Sequence, residues 1–191
     1  MPTLRHSLAN YISCPVTLLK LSILKLLFPR SLRFKAIERF SPNVVIDVDR
    51  KSRIIFDYGV SIHSNSRISA NSGGIMTIGK KTSFNVGCIV TCKHSVKIGE
   101  NVAFGPNVMV FDHNHLVNQN YDLDAKKFTY SEVYVGNNVW IGAGTILLPG
   151  THIGDNCVIA AGSVINKAIS NNTVFIQKRQ SFYKELTYVD K

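Results

Sequence analysis

The chain has 191 residues, enough for one domain with an appendage and a core of real size. Its 22 Lys and Arg against 12 Asp and Glu leave a net charge of +10, which favours anionic partners such as membrane phosphates or a phosphorylated small molecule. Nucleic acid is set aside because no aromatic-plus-basic stripe or zinc module accompanies that charge, and the four cysteines (Cys14, Cys88, Cys92, Cys157) fit neither a zinc spacing nor a secreted disulfide framework and read as reduced thiols of a cytosolic protein.

The charge is uneven. Residues 1–40 hold seven basic residues and one acid, Glu38, for a local charge of +6. Within them "VTLLKLSILKLLF", residues 16–28, is 13 residues long and carries Lys20 and Lys25, too short and too charged to span a bilayer. No small-residue cleavage site follows it, so it is not read as a signal peptide. It predicts a helix with a broad apolar face, ended by Pro29. Packing against the rest of the chain is the first expectation. A helix on a membrane surface is the second, because basic residues flank the apolar face.

The next segment is periodic. Aliphatic residues fall at Val135, Ile141, Leu147, Ile153, Ile159 and Ile165, each step being six residues. Small or β-branched residues sit two positions before the next aliphatic: Val139, Thr145, Thr151, Cys157 and Ser163. The same ruler fits Phe56, Ile62 and Ile68, then Ile78, Phe84 and Val90, then Ile98, Phe104 and Val110. Six residues suit one short strand and a tight turn, and three such units close one coil. Stacked coils bury a continuous aliphatic column that no single repeat can bury. An ordinary sandwich would show longer alternating strands and turns every 8–12 residues. The reading is therefore all-β, a parallel β-helix over residues 41–168. Residues 1–40 form a basic amphipathic helical segment, residues 169–191 a C-terminal extension, and a protruding loop covers about 112–134.

That loop begins where "FGPNVMVFDHNH", residues 104–115, abandons the ruler for a polar cluster. A histidine takes a proton from a hydroxyl near neutral pH, and long loops on rigid scaffolds are disproportionately functional. His113 and His115 are thus candidate bases, with Asp112 able to orient one imidazole.

The stretch "VWIGAGTILLPGTHIGDNCVIAAGSVINK", residues 139–167, resembles the hexapeptide-repeat acyltransferases, in particular the maltose/galactoside O-acetyltransferase-like branch, and the likeness runs over about residues 55–168. The resemblance implies a left-handed β-helix and a homotrimer with acetyl-CoA lying in the groove between neighbouring β-helices. In the family's pattern the catalytic His stands seven positions after the Val of Phe-Gly-Pro-Asn-Val, which is His115 here, counted from Val108. His113 is the rival, because polysaccharide-modifying relatives show a similar D-H-x-H. Asn85 falls on the family's active-site Asn and can serve the acceptor or the oxyanion, or act as a turn residue. Trp140 matches a Trp bordering the acceptor and pantetheine groove. Gly142, Ala143, Ala161 and Gly162 match positions where backbone lies against the pantetheine arm, and Asn166 and Lys167 the usual Thr-Lys at the phosphate end.

The chain departs from the pattern after Lys167, where "AISNNTVFIQKRQ" lacks the family's Pro-containing segment. Lys178 and Arg179 are then candidates for the cofactor's phosphates. The sugar-contacting element of the maltose branch is unmatched in residues 1–50, so the acceptor is not inherited from it. The expected function is a cytoplasmic O-acetyltransferase, peripheral on the inner membrane, that uses acetyl-CoA as donor and needs no metal. Its acceptor would be a sugar hydroxyl of a capsule, exopolysaccharide or lipopolysaccharide, or of a precursor. The alternatives are an N-acyltransferase on an amino-sugar nucleotide, a zinc-dependent γ-carbonic-anhydrase-like protein using His94, His113 and His115, and a non-catalytic scaffold. Cys88 and Cys157 occupy inward slots and read as core filling, whereas Cys92 lies outside that slot, near His94.

Overall fold

Short strands stack into three parallel sheets that form the walls of a triangular solenoid. The computed structural model describes residues 4–35, 38–117, 123–178, 180–181 and 183–184, with the side chains of 4–13, 117 and 123–126 outside that description. The first sheet has seven strands, from Leu32–Arg33 to Ala168–Ile169. The second has seven, from Arg39–Phe40 to Val174–Phe175, and the third six, from Val45–Val48 to Val164–Ile165. Sheet pairing thus extends past residues 41–168 at both ends.

Every position of the six-residue ruler is buried, from Phe56 through Ile165, and so are Val139, Thr145, Thr151, Cys157 and Ser163 two places before. The column is continuous because each inward side chain rests on its counterpart in the next coil. Phe84 and Phe104 stack in this way with centroids 4.4 Å apart, while Phe40 and Phe56, from different sheets, meet edge-on at 5.1 Å. Corners need left-handed backbone, which asparagine tolerates better than other side-chain-bearing residues. Asn101, Asn138, Asn156 and Asn172 all have φ between 54° and 58°. Their side-chain amides form a ladder, each Nδ2 donating to the next Oδ1 at 3.0–3.2 Å.

The N-terminal helix, Leu4–Leu27, closes the first end of the solenoid. Leu21 enters the core, and the Thr17 hydroxyl both accepts from the Phe40 N–H and donates to its carbonyl. Lys20 donates to the Pro42 and Val44 carbonyls, and Lys25 to that of Leu32. These contacts satisfy edge groups that have no preceding coil to pair with. Among the described residues no helix is long and apolar enough to cross a membrane.

Glu38, beside this cap, is fully buried. Its Oε2 accepts the Val60 N–H at 2.8 Å, while Oε1 has no partner among the described residues. Burial drives its carboxyl up to about 7 against the pull of the Val60 N–H, and the charge of Asp57 adds to the rise.

Candidate active site

The excursion interrupts one corner only. Neighbouring coils at the C-terminal end are 18 residues apart, as in Asn138 and Asn156, but Asn101 pairs with Asn138 across 37. The extra chain is not a plain loop. It is an antiparallel arm of two strands, His113–Val117 and Leu123–Tyr130, with an irregular register after His115.

Asp112 explains how the coil tolerates the gap. Where the next coil would have supplied acceptors, the chain has left, and the N–H groups of Lys93, His94 and Ser95 are exposed to an empty corner. The Asp112 carboxylate takes all three, at 2.7–3.1 Å. The Ser131 N–H donates to the Asp112 carbonyl at 2.9 Å, so the arm's two feet are tied together. Asp112 is fully buried, which alone would raise its carboxyl. The Lys93 N–H, the His113 imidazole and the His94 N–H outweigh that and hold it below the usual carboxylate range.

The same carboxylate orients one histidine. His113 Nδ1 lies 2.9 Å from Asp112 Oδ1, with the imidazole nearly buried at 11% exposure. Among the described residues Nε2 has no hydrogen-bond partner. His115 is exposed, its ring 4.7 Å from Phe128. Phe128 also meets His113 at 5.4 Å, and Lys93 Nζ lies 4.3 Å over its ring. The sequence reading missed Phe128. Its signal was the alternation of Phe128 and Tyr130 on the returning strand, opposite His115 and His113.

The other expected residues lie at a different corner. Asn85 follows the second-sheet strand Ser83–Phe84, and Trp140 stands on that sheet, 59% exposed. They line a shallow depression of about 180 Å³ with His63, Ser83, Ala103 and Gly105. His63, whose N–H donates to the Phe84 carbonyl, was not singled out from sequence. Asn85 turns its Oδ1 onto the Val86 N–H at 2.8 Å, the turn-residue role.

Beside Trp140 runs an exposed strip of small residues, Ala143 on one coil and Ala161 on the next. The coils stack tightly there because a Cβ at Gly142 would fall 2.5 Å from the Ala161 nitrogen. Positions 144 and 162, both Gly with positive φ, have open space where a Cβ would stand. The small side chains leave this stretch of backbone open to close approach. Asn166 and Lys167 lie after the third sheet, at the arm's corner rather than the strip's, and Lys167 Nζ sits 5.3 Å over Phe175. One chain therefore brings Asp112, His113 and His115 to one corner, and Asn85, Trp140, Gly142, Ala143, Ala161 and Gly162 to another. Arg179 lies outside the described residues.

Nucleophilic cysteine chemistry finds no support in this geometry. Cys92 is fully buried, and its thiol is pushed far up by burial first and then by the negative charge of Asp112, the opposite of an activated nucleophile. Among the described residues no three His, Cys, Asp or Glu gather as metal ligands, so His94, His113 and His115 form no such group within one chain.

Residues 132–167 match the bacterial transferase hexapeptide (six repeats) family. The chain is 34% identical over 121 residues to the galactoside O-acetyltransferase of Escherichia coli K12, covering 63% of this chain and 52% of that one. The provisionally assigned lipopolysaccharide biosynthesis O-acetyl transferase WbbJ of the same organism is 30% identical over 116 residues, 56% of this chain and 59% of WbbJ. A solved galactoside acetyltransferase in complex with coenzyme A has a TM-score of 0.53 and 28% identity, covering 90% of this chain and 74% of that one. The chain thus spans about half the length of the curated relatives it matches. The resemblance to hexapeptide-repeat acyltransferases seen in residues 139–167 is borne out.

Proposed function

We propose that this chain is an acetyl-CoA-dependent O-acetyltransferase whose acceptor is a sugar hydroxyl. The observation that carries the reading is the histidine-bearing arm, held by Asp112 on a hexapeptide solenoid similar to a galactoside acetyltransferase bound to coenzyme A. In this reading His115, exposed and against Phe128, removes the acceptor's proton. The freed oxygen attacks the thioester carbonyl, and the tetrahedral intermediate collapses by expelling the CoA thiolate, which the protonated imidazole neutralises. Asn85 supplies a donor near the oxyanion, and the strip beside Trp140 holds the pantetheine arm, with Asn166 and Lys167 at the phosphate end.

Because the histidines and the strip occupy different corners, the complete site needs two copies, one contributing its arm and the other its strip. A homotrimer satisfies this with three equivalent sites. A polysaccharide or its precursor is the proposed acceptor, supported by the D-H-x-H cluster and the similarity to WbbJ. We place the protein in the cytoplasm, in peripheral contact with the inner membrane.

A second reading makes His113 the base, favoured by its 2.9 Å contact with Asp112. Thiol release from acetyl-CoA, screened against glycans and nucleotide sugars, tests the activity. A larger loss in His113→Ala than in His115→Ala moves the base to His113. No release with any acceptor, by protein that binds coenzyme A, would sink the transferase reading.

A further inference from the structure

Among the described residues, one side of the helix that closes the solenoid has no protein partner. Its two lysines, Lys20 and Lys25, which interrupt the apolar run in sequence, point inward onto the carbonyls of Pro42, Val44 and Leu32. What faces outward is a stripe without charge: Leu19, Ile23, Leu26 and Leu27, from 51% to 81% exposed. Their spacing puts them on one helix face. So much exposed aliphatic surface is unusual on a water-soluble end cap and marks an interaction site.

The stripe ends in a depression of about 530 Å³ lined by Leu27, Phe28, Pro29, Arg30, Ser31 and Arg50. Arg30 and Arg50 are both exposed. Among the described residues neither makes an ion pair, since the chain's salt bridges lie elsewhere. Asp49, adjacent in sequence, is occupied by the backbone N–H groups of Lys51, Ser52 and Ser72. Arg33, Lys51 and Arg53 add further exposed positive charge to the same end of the solenoid. The cap therefore combines an apolar stripe with unpaired guanidinium groups at its edge.

We propose that this end docks on an anionic lipid surface, with the stripe lying among the acyl chain boundaries and Arg30 and Arg50 on lipid phosphates. The geometry differs from the one sequence suggests, because the lysines are committed to the cap and the arginines supply the electrostatic contact. A second copy of the chain is the less fitting occupant. A two-fold pairing through this face would set Arg30 and Arg50 against their own counterparts, with the adjacent acid, Asp49, already taken up by backbone N–H groups. An anionic headgroup layer supplies counter-charge over the whole face. The proposal deepens the membrane contact suggested above and does not depend on acetyl transfer.

Flotation of the full chain with vesicles tests it, using phosphatidylcholine alone and phosphatidylcholine containing one third phosphatidylglycerol. The protein should partition onto the mixed vesicles and release at high salt. At about fivefold per surface arginine, the double variant Arg30→Gln/Arg50→Gln should lower that partition by roughly 30-fold. Leu26→Asp, at a site too exposed to disturb folding, should abolish it while leaving thiol release with a soluble acceptor unchanged. Equal partition onto both vesicle types, or undiminished binding by the arginine variant, overturns the proposal. So does a change of oligomeric mass in Leu26→Asp by light scattering, which would assign the face to a second copy. Partition by a protein that transfers no acetyl group leaves this proposal standing and removes the transferase reading alone.

Discussion

The corner that Asp112 holds open and the corners closed by the asparagine ladder are built on the same coil, yet they solve the same problem differently. At the ladder, Asn101, Asn138, Asn156 and Asn172 take left-handed turns and pair with one another, so each coil completes its neighbour. At the open corner no neighbour is available, and a buried carboxylate receives three backbone N–H groups in its place. The first solution repeats and is chemically inert. The second is specific to one place, and the charge that makes it work also grips His113. The reaction centre proposed above thus stands at the point where the scaffold stops repeating.

The largest expected effect separates the two regions by activity. His115→Ala should lower the turnover of acetyl transfer by about 10²- to 10⁴-fold with folding unchanged. Steady-state thiol release and thermal melting, measured on the same sample, check both halves. In the regular stack the pattern should reverse. Leu147→Ala leaves a cavity in the column and should cost about 2–5 kcal/mol in stability, while turnover per folded molecule stays near wild type. Denaturant unfolding with active-site titration would reveal a stack more closely tied to catalysis than this comparison allows.

Two buried carboxylates sharpen the contrast at smaller scale. Asp112 has several donors and a depressed folded value, so its stabilisation is present above the unfolded value and lost as pH falls through the folded one. Asp112→Asn replaces one charged acceptor facing three N–H groups and should cost about 1–3 kcal/mol at neutral pH, flattening the acid side of the stability profile. Glu38 has fewer donors, and burial raises it to about 7. Its contribution is present below the unfolded carboxylate value and fades as pH rises through about 7, so Glu38→Gln should flatten the neutral side instead. Melting temperature against pH for both variants decides. Parallel profiles would mean that the donor count does not govern these two groups.

The coil was legible in sequence because one inward position per six residues has to be aliphatic, and Val135 through Ile165 keep that rule without a break. The helix was legible from its apolar run, but not the direction of Lys20 and Lys25, since carbonyls without a preceding coil become visible only when the end of the stack is built. His113, His115 and Asp112 stood out as a polar interruption. What Asp112 does could not be read from sequence, because its main partners, Lys93, His94 and Ser95, belong to the previous coil and carry the contact through backbone groups. Phe128 and His63 escaped for a similar reason. Each acquires its neighbours through folding, Phe128 by pairing against His115 and His63 by sharing a depression with Asn85.

In the proposed enzyme the arm of one copy works on the strip of another. The most direct measurement mixes two variants, His115→Ala and a strip variant such as Ala161→Trp, each inactive as a pure oligomer, and exchanges their subunits by mild dissociation and reassembly. Mixed oligomers contain sites in which an intact arm meets an intact strip, so thiol release should return to a sizeable fraction of wild type. If mass spectrometry of tagged subunits shows full mixing and no activity returns, both halves of the site belong to one chain, and the account is contradicted.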